Sequence, residues 1–193
     1  MARHKGLTFY EKKKKISKEM IREIFALFFY CFAAVLLAFV IVLLVGMKVS
    51  VIGVSMEPAL QNGQEVLVNR FIYKLLSPKR GDIVVFLPNG NKNSHYYLKR
   101  VIALPGETIQ IIGGYVYING ELLKEDESYD KIADPGIAEN EITLGIDEYF
   151  VLGDNRNNSE DSRSGNIGIV NEDNITGKAW FHFGSDENIG FIK

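Results

Sequence analysis

A run of 24 residues without a charge, Ile24 to Met47, most constrains what this 193-residue chain can become. As a helix rising 1.5 Å per residue it would extend about 36 Å, enough to cross a hydrocarbon layer of about 30 Å with some tilt. A cleaved secretory leader is the competing reading, but its apolar stretch should be about 7 to 15 residues and end in a small-x-small site, and neither holds here. The run is therefore expected to be a transmembrane anchor over 24–47. Residues 1–23 carry eight Lys/Arg against three Glu, and only Lys48 follows the run closely. That bias places 1–23 in the cytoplasm and 48–193 outside. The remainder holds fourteen basic and twenty-one acidic residues, so an acidic body argues against nucleic acid while the basic leader suits an anionic lipid surface. The one cysteine, Cys31, lies inside the run, which leaves no intrachain disulfide and no cysteine zinc site.

Beyond the anchor, short apolar runs alternate with glycine and turn pairs. Strands are expected over Glu65–Asn69, Asp82–Leu87, Tyr96–Leu104, Thr108–Ile112, Tyr115–Ile118, Glu148–Leu152 and Gly177–Phe183. Asn89-Gly90, Gly113-Gly114 and Asn119-Gly120 supply hairpin turn chemistry. The fold class is mostly β, an antiparallel sheet domain behind one helix. Phe71–Leu76 reads as one short helix, and no helical period of three turns appears after residue 50. About residues 107–147 a surface excursion leaves the core sheet, and its stretch 121–147 is acidic. The chain has no internal repeat and no nucleotide loop.

Three stretches can carry chemistry. Gly53-Val54-Ser55-Met56-Glu57-Pro58-Ala59-Leu60 offers a serine just past the anchor. A serine nucleophile needs a base, and the three histidines, His4, His95 and His182, have no supporting motif; a histidine triad stays open but unsupported. Lysine serves if an apolar pocket lowers its pKa from about 10.4 towards neutrality, a difference of about 4 kcal/mol that the fold must supply. Lys99 sits in the strand-like run Tyr97-Leu98-Lys99-Arg100-Val101-Ile102. From that segment alone, a surface lysine on an alternating strand is the simpler reading. The third stretch, Gly153 to Gly165, holds two arginines and three acids; it reads as a long polar turn or as an ion-pair framework.

Taken together and in order, Ser-Met-x-Pro after an anchor, Lys-Arg-Val-Ile-x-Leu-Pro-Gly-Glu, and Gly-Asp-Asn-Arg-x-x-Ser-x-Asp-Ser-Arg resemble the bacterial type I signal peptidases (leader peptidases), in the spacing of the single-anchor Gram-positive forms. The resemblance implies Ser55 as nucleophile and Lys99 as general base, with Ser159 hydrogen-bonded to the Lys99 amine. It implies that Asp154, Asp161 and Arg163 are structural ion-pair residues, with Arg100 as the partner of Asp154. It further implies that Gly53, Met56, Leu60, Tyr97 and Leu98 line the substrate-binding cleft, and that coiled antiparallel sheets carry a small β extension. The chain departs from some members at Gly53, where they place a serine hydroxyl as an oxyanion donor; the Ser55 amide is then the first donor and the second is unidentified. Ala59 stands where Thr is common. Lysine at position 99, where the eukaryotic endoplasmic reticulum forms have histidine, fits the bacterial branch.

The implied function is a membrane-bound serine endopeptidase that removes signal peptides from exported preproteins after small-x-small sites, without metal or cofactor. Its partners would be those signal peptides, the lipid bilayer and, as a further candidate, the secretion translocon. An extended substrate would add as a strand beside the segments before Ser55 and before Lys99, with side-chain pockets at alternate residues only. The rivals are a self-cleaving repressor, an inactive tethered peptide-binding homologue, and a peptidase dedicated to one preprotein. The anchor and the lack of a DNA-binding segment oppose the first. Ser55, Lys99 and Ser159 together oppose the second, and no residue separates the third.

Overall fold

The computed structural model describes residues 17–184 and 189–192. It divides into two units, residues up to Leu44 and the body from Val45 onward.

The first unit is helix α1, Lys18–Val45. Ser17 caps it: the Ser17 hydroxyl accepts from the amide of Met20 at 3.1 Å, satisfying a donor that the first turn cannot. Its Leu, Phe, Val and Ile side chains from Ile21 to Val40 are exposed, and over Lys18–Val40 it is long and apolar enough to cross a membrane. The helix stops two residues short of the expected anchor end. Gly46 interrupts it, and Met47 already belongs to a strand. Of the basic segment expected over 1–23, residues 1–16 lie outside the described residues.

The body is mostly β, with a few single 3-10 turns between strands. Its main sheet has eight strands: β1 Met47–Ser50, β2 Glu65–Asn69, β3 Ile83–Phe86, β4 Tyr97–Ala103, β9 Glu148–Leu152, β10 Val170–Asn171, β11 Ile175–Phe183 and β12 Gly190–Phe191. Seven run in the order β1-β2-β11-β3-β4-β9-β10 and β12 adds to β11, every pair antiparallel. The long β11 pairs with β3 through Ile175–Lys178 and with β2 through Lys178–Phe183, and the register slips in both pairings and again between β4 and β9. Such irregularities bend strands and increase local twist, so the sheet curls. β3 explains the run Ile83-Val84-Val85-Phe86, which is buried at every position. Ile83 and Val85 join one core with Val51, Met56, Leu60 and Leu98, while Val84 and Phe86 join another with Val101, Tyr149 and Val151. A strand covered on both faces has no polar alternation to show.

A second sheet, in the order β7-β6-β5-β8, is built from β5 Thr108–Ile112, β6 Tyr115–Ile118, β7 Glu121–Leu122 and β8 Ile142–Thr143. Gly113-Gly114 and Asn119-Gly120 have positive φ at both positions and close its two-residue hairpins, as expected. The surface excursion is thus a sheet, and Ile109, Ile111, Val116 and Ile118 pack a shared core with Ile102, Phe150 and Leu152. Asn89-Gly90 does not form a tight hairpin. Both residues have positive φ, but they sit within the longer connection between Phe86 and Tyr97. Phe71–Leu76 contains one 3-10 turn, Ile72–Lys74.

Candidate active site

Three segments of the body converge. The turn after β1 carries Ser55. Met56 and Leu60, both fully buried, fasten this turn into the core, and the Leu60 amide donates to the Met56 carbonyl at 2.8 Å. Gly53 adopts φ +83°, where a β-carbon is strained, and its N–H donates to Asn62 Oδ1 at 2.9 Å. β4 presents Lys99, opposite Val84. Lys99 Nζ donates to Ser55 Oγ at 2.7 Å, and the lysine is 3% exposed. Burial pushes its pKa down from the usual range to about 8; Asp161, Glu160 and Asp154 oppose that fall and Arg163 adds to it. The surface-lysine reading is therefore wrong. An apolar strand inside a two-sided core cannot turn a lysine to solvent.

The stretch leaving β9 forms the third wall. Arg100 grips Asp154 with two bonds, Nε to Oδ1 at 2.8 Å and Nη2 to Oδ2 at 2.7 Å. Arg163 grips Asp161 likewise, at 2.8 and 2.7 Å, and Asp161 Oδ2 also accepts from the amide of Gly153 at 3.0 Å. The polar stretch is an ion-pair framework rather than a solvated turn. Removing one partner of a buried pair leaves a charge without compensation. Asp161→Ala should therefore lower unfolding stability by about 3–5 kcal/mol in urea titration, and a change below about 1 kcal/mol would show that the pair holds nothing.

Three expectations need correction. Ser159 Oγ is buried and has no hydrogen-bond partner among the described residues, so the expected bond to Lys99 is not formed. Leu60 and Gly53 do not line the cleft: Leu60 is core, and Gly53 shapes the turn. A cleft of about 250 Å³ does form over the pair, lined by Val51, Ile52, Ser55, Met56, His95, Tyr96, Tyr97, Leu98, Lys99 and Glu160. Met56, Tyr97 and Leu98 fall there as expected; the other walls were missed.

Also missed was Asn155, inside the quoted stretch, whose amide donates to the Ser55 carbonyl at 3.1 Å and whose Nδ2 donates to the Val54 carbonyl at 3.2 Å. Arg156 was missed too, buried between Glu125, at 2.9 and 2.6 Å, and the Tyr129 ring, 4.4 Å away. Both belong to a polar cluster that sequence showed, but Glu125 gave no signal at all. Among the described residues, no group of three or more His, Cys, Asp or Glu side chains could hold a metal ion.

A hydroxyl bonded to a desolvated amine, in an open and largely apolar cleft, has the parts for acyl transfer. Neutral Lys99 can accept the Ser55 proton. Known proteins with this sequence pattern define the class further. The family model described as signal peptidase, peptidase S26, matches residues 23–183. A probable signal peptidase I-2 from Synechocystis is 39% identical over 142 residues, covering 72% of this chain and 63% of that protein. Signal peptidase IB from Staphylococcus aureus is 35% identical over 171 residues, covering 78% of this chain and 86% of that one. A crystal structure of a signal peptidase I from Enterococcus faecalis is 33% identical, covers 52% of this chain and 95% of that one, and superposes with a TM-score of 0.42. The chain belongs to the signal peptidase family, peptidase S26.

Proposed function

We propose that this chain is a type I signal peptidase, a membrane-bound serine endopeptidase with a Ser55–Lys99 dyad that cleaves signal peptides from exported preproteins. The observation that carries the dyad is the 2.7 Å contact between Lys99 Nζ and Ser55 Oγ at the base of the cleft. Lys99 in its neutral form takes the Ser55 proton as Oγ attacks the scissile carbonyl. The tetrahedral intermediate collapses as the C–N bond breaks, and the Lys99 ammonium returns that proton to the leaving amine. Water, deprotonated in turn by Lys99, then hydrolyses the acyl ester.

The developing oxyanion needs donors. The Ser55 N–H makes no hydrogen bond among the described residues and is available. Losing one such donor lowers rates by about 10²- to 10³-fold, so a second group must stand in where Gly53 has no hydroxyl. An extended substrate would lie between Val51–Ile52 and Tyr96–Leu98, and on this reading alternate side chains would face the cleft wall at Met56 and Leu98, in wells that admit only small residues. That pattern supports a preference for small residues at the first and third positions before the cut.

The reading extends to location. Residues 1–23 are cytoplasmic, 24–45 cross the bilayer, and the β body works on the outer face. An enzyme and a substrate that both reside in one membrane gain effective concentration, and a site soon after the anchor in sequence meets a cleavage site emerging at the same surface. The test is cleavage of a purified preprotein by the detergent-solubilised chain, with the product N-terminus sequenced. Cutting after a small-x-small site, lost in Ser55→Ala, supports the proposal; no cutting by the unmodified chain sinks it.

The Lys99 environment sets a pH dependence. Only the neutral amine acts as base, and its pKa is about 8. Activity should therefore rise as pH climbs through about 8 and level off above it, with roughly a fifth of full rate at pH 7.4. A rate already level from pH 6 upward would contradict the assignment.

A further inference from the structure

The cleft has one carboxylate in its lining, and it is not part of the ion-pair framework. Glu160 stands between Ser159 and Asp161, yet it lines the cleft, while the Ser159 hydroxyl is buried without a partner among the described residues and Asp161 is paired with Arg163. Glu160 Oε1 accepts from Asn166 Nδ2 at 3.0 Å, and Oε2 accepts from the Tyr97 hydroxyl at 3.4 Å. Both donors are neutral. Asp154, Asp161 and Glu125 each hold an arginine, whereas Glu160 has no ion pair among the described residues, and His95, on the same cleft, makes none with it. Two neutral donors fix the position of a charge without cancelling it. The charge reaches both Tyr97 and Lys99: burial raises the Tyr97 pKa and Glu160 adds to that rise, and at Lys99 Glu160 joins Asp161 in opposing the fall that burial causes.

We propose that Glu160 is a specificity-determining residue that favours a cationic side chain, and disfavours an acidic one, at a substrate position flanking the cut whose side chain does not enter the small-residue wells. This rests on the peptidase reading above. The chemistry is that of a fixed rim carboxylate. A strand in the cleft sends alternate side chains to opposite sides, so the residue just before the last one of the signal peptide, or the first of the mature chain, can swing towards Glu160. There a Lys or Arg gains a partially solvated ion pair, and a Glu or Asp meets like charge. The wells select by size, and Glu160 adds selection by charge.

The test compares one preprotein carrying Lys or Glu at the second residue before the cut, and separately at the first residue after it. The readout is the ratio of kcat/KM between the two substrates within each enzyme, so any change that E160Q makes to Lys99 or to the overall rate cancels. For the unmodified chain, the Lys form should be cut about 3- to 10-fold better than the Glu form at one of these positions, the size expected of exposed charge pairs when attraction is replaced by repulsion. In E160Q the ratio should fall to about 1, and in E160K it should invert. Should both variants fail to fold, the unmodified chain still decides: its ratio must shrink towards 1 as ionic strength rises, because screening weakens exposed charges. A ratio near 1 at both positions in the unmodified chain, or one that E160Q leaves unchanged, overturns the proposal while normal cutting of a neutral preprotein keeps the peptidase reading intact. If the neutral preprotein is not cut either, the peptidase reading falls and this inference falls with it.

Discussion

Lys99→Ala is expected to lower kcat/KM for preprotein cleavage by on the order of 10²- to 10⁴-fold, the usual contribution of a positioned general base, and to do so in a chain that still folds. Lys99→Arg should be as inactive, because a guanidinium keeps the charge but cannot be deprotonated to act as a base. Retained activity in the arginine variant would mean that the charge, not proton transfer, is what matters. The same residue makes a prediction of opposite sign for stability. Its folded pKa, about 8, lies below its unfolded value. Between about 8 and 10.4 the unfolded chain therefore binds the extra proton, and stability rises with pH across that window. Below it the folded protein carries the full penalty of a desolvated ammonium, about 3 kcal/mol at most. Lys99→Met, of similar shape and no charge, should thus be inactive yet more stable than the unmodified chain at pH 7, with the gain fading above pH 8. An inactive Lys99→Met chain that is also less stable would place the lysine's role in packing instead. If Lys99→Ala stays active, His95 is the next base to try, since it lines the same cleft, while His182 lines a separate one with Pro58 and Ala59.

How far sequence reached depends on the range of the interaction involved. β2, β5, β6 and β9 were legible to the residue because each is a short run of strand formers closed by turn chemistry, and the Gly113-Gly114 and Asn119-Gly120 turns have the positive φ that their composition requires. The two-residue strands β8 and β10 exist only by pairing with partners distant in sequence, and nothing local marks them; β12 is too short to show a strand pattern, and β7 was missed although Asn119-Gly120 turns the chain straight back from β6. The anchor's end was overrun because Gly46-Met47 is as apolar as what precedes it; only the pairing of Met47 with Val68 takes it into the sheet. At the site, Asp161 and Arg163 were legible as alternating charges in one stretch, whereas Arg100–Asp154, 54 positions apart, was expected from the resemblance alone, and it forms. Glu125 was not legible, since it lies outside every stretch that carries a motif and nothing in its own surroundings marks it as the partner of Arg156. The cleft walls at Ile52 and Tyr96 were missed for a related reason. An exposed apolar side chain next to a catalytic residue looks like any other loop residue until the opposite wall is in place.

Gly153→Ala should also be close to inactive, for reasons of space rather than chemistry. Gly153 leaves β9 with its amide bound to Asp161, and a β-carbon there would overlap Ser159 Oγ and come within 2.5 Å of the Ser55 carbonyl oxygen. Its φ lies outside the left-handed region, so the backbone itself would accept alanine; the collision is the whole effect. Neither neighbour can yield cheaply. Ser159 is packed with its hydroxyl buried, and the Ser55 carbonyl is held by the Asn155 amide at 3.1 Å. Relief therefore means shifting the Ser55 turn relative to the stretch behind it, which disturbs the Ser55–Lys99 contact. A displacement of about 1 Å at a reacting group can lower rates by about 10²-fold. The expected result is a loss in kcat/KM of at least about 10²-fold, together with loss of labelling of Ser55 by an acylating inhibitor. Gly165→Ala is the control, since a β-carbon at Gly165 meets nothing within 4 Å and should leave both readouts unchanged. Activity of Gly153→Ala within about threefold of the unmodified chain would mean that the Ser55 turn has slack, and that the 2.7 Å contact with Lys99 is not held by the stretch behind it.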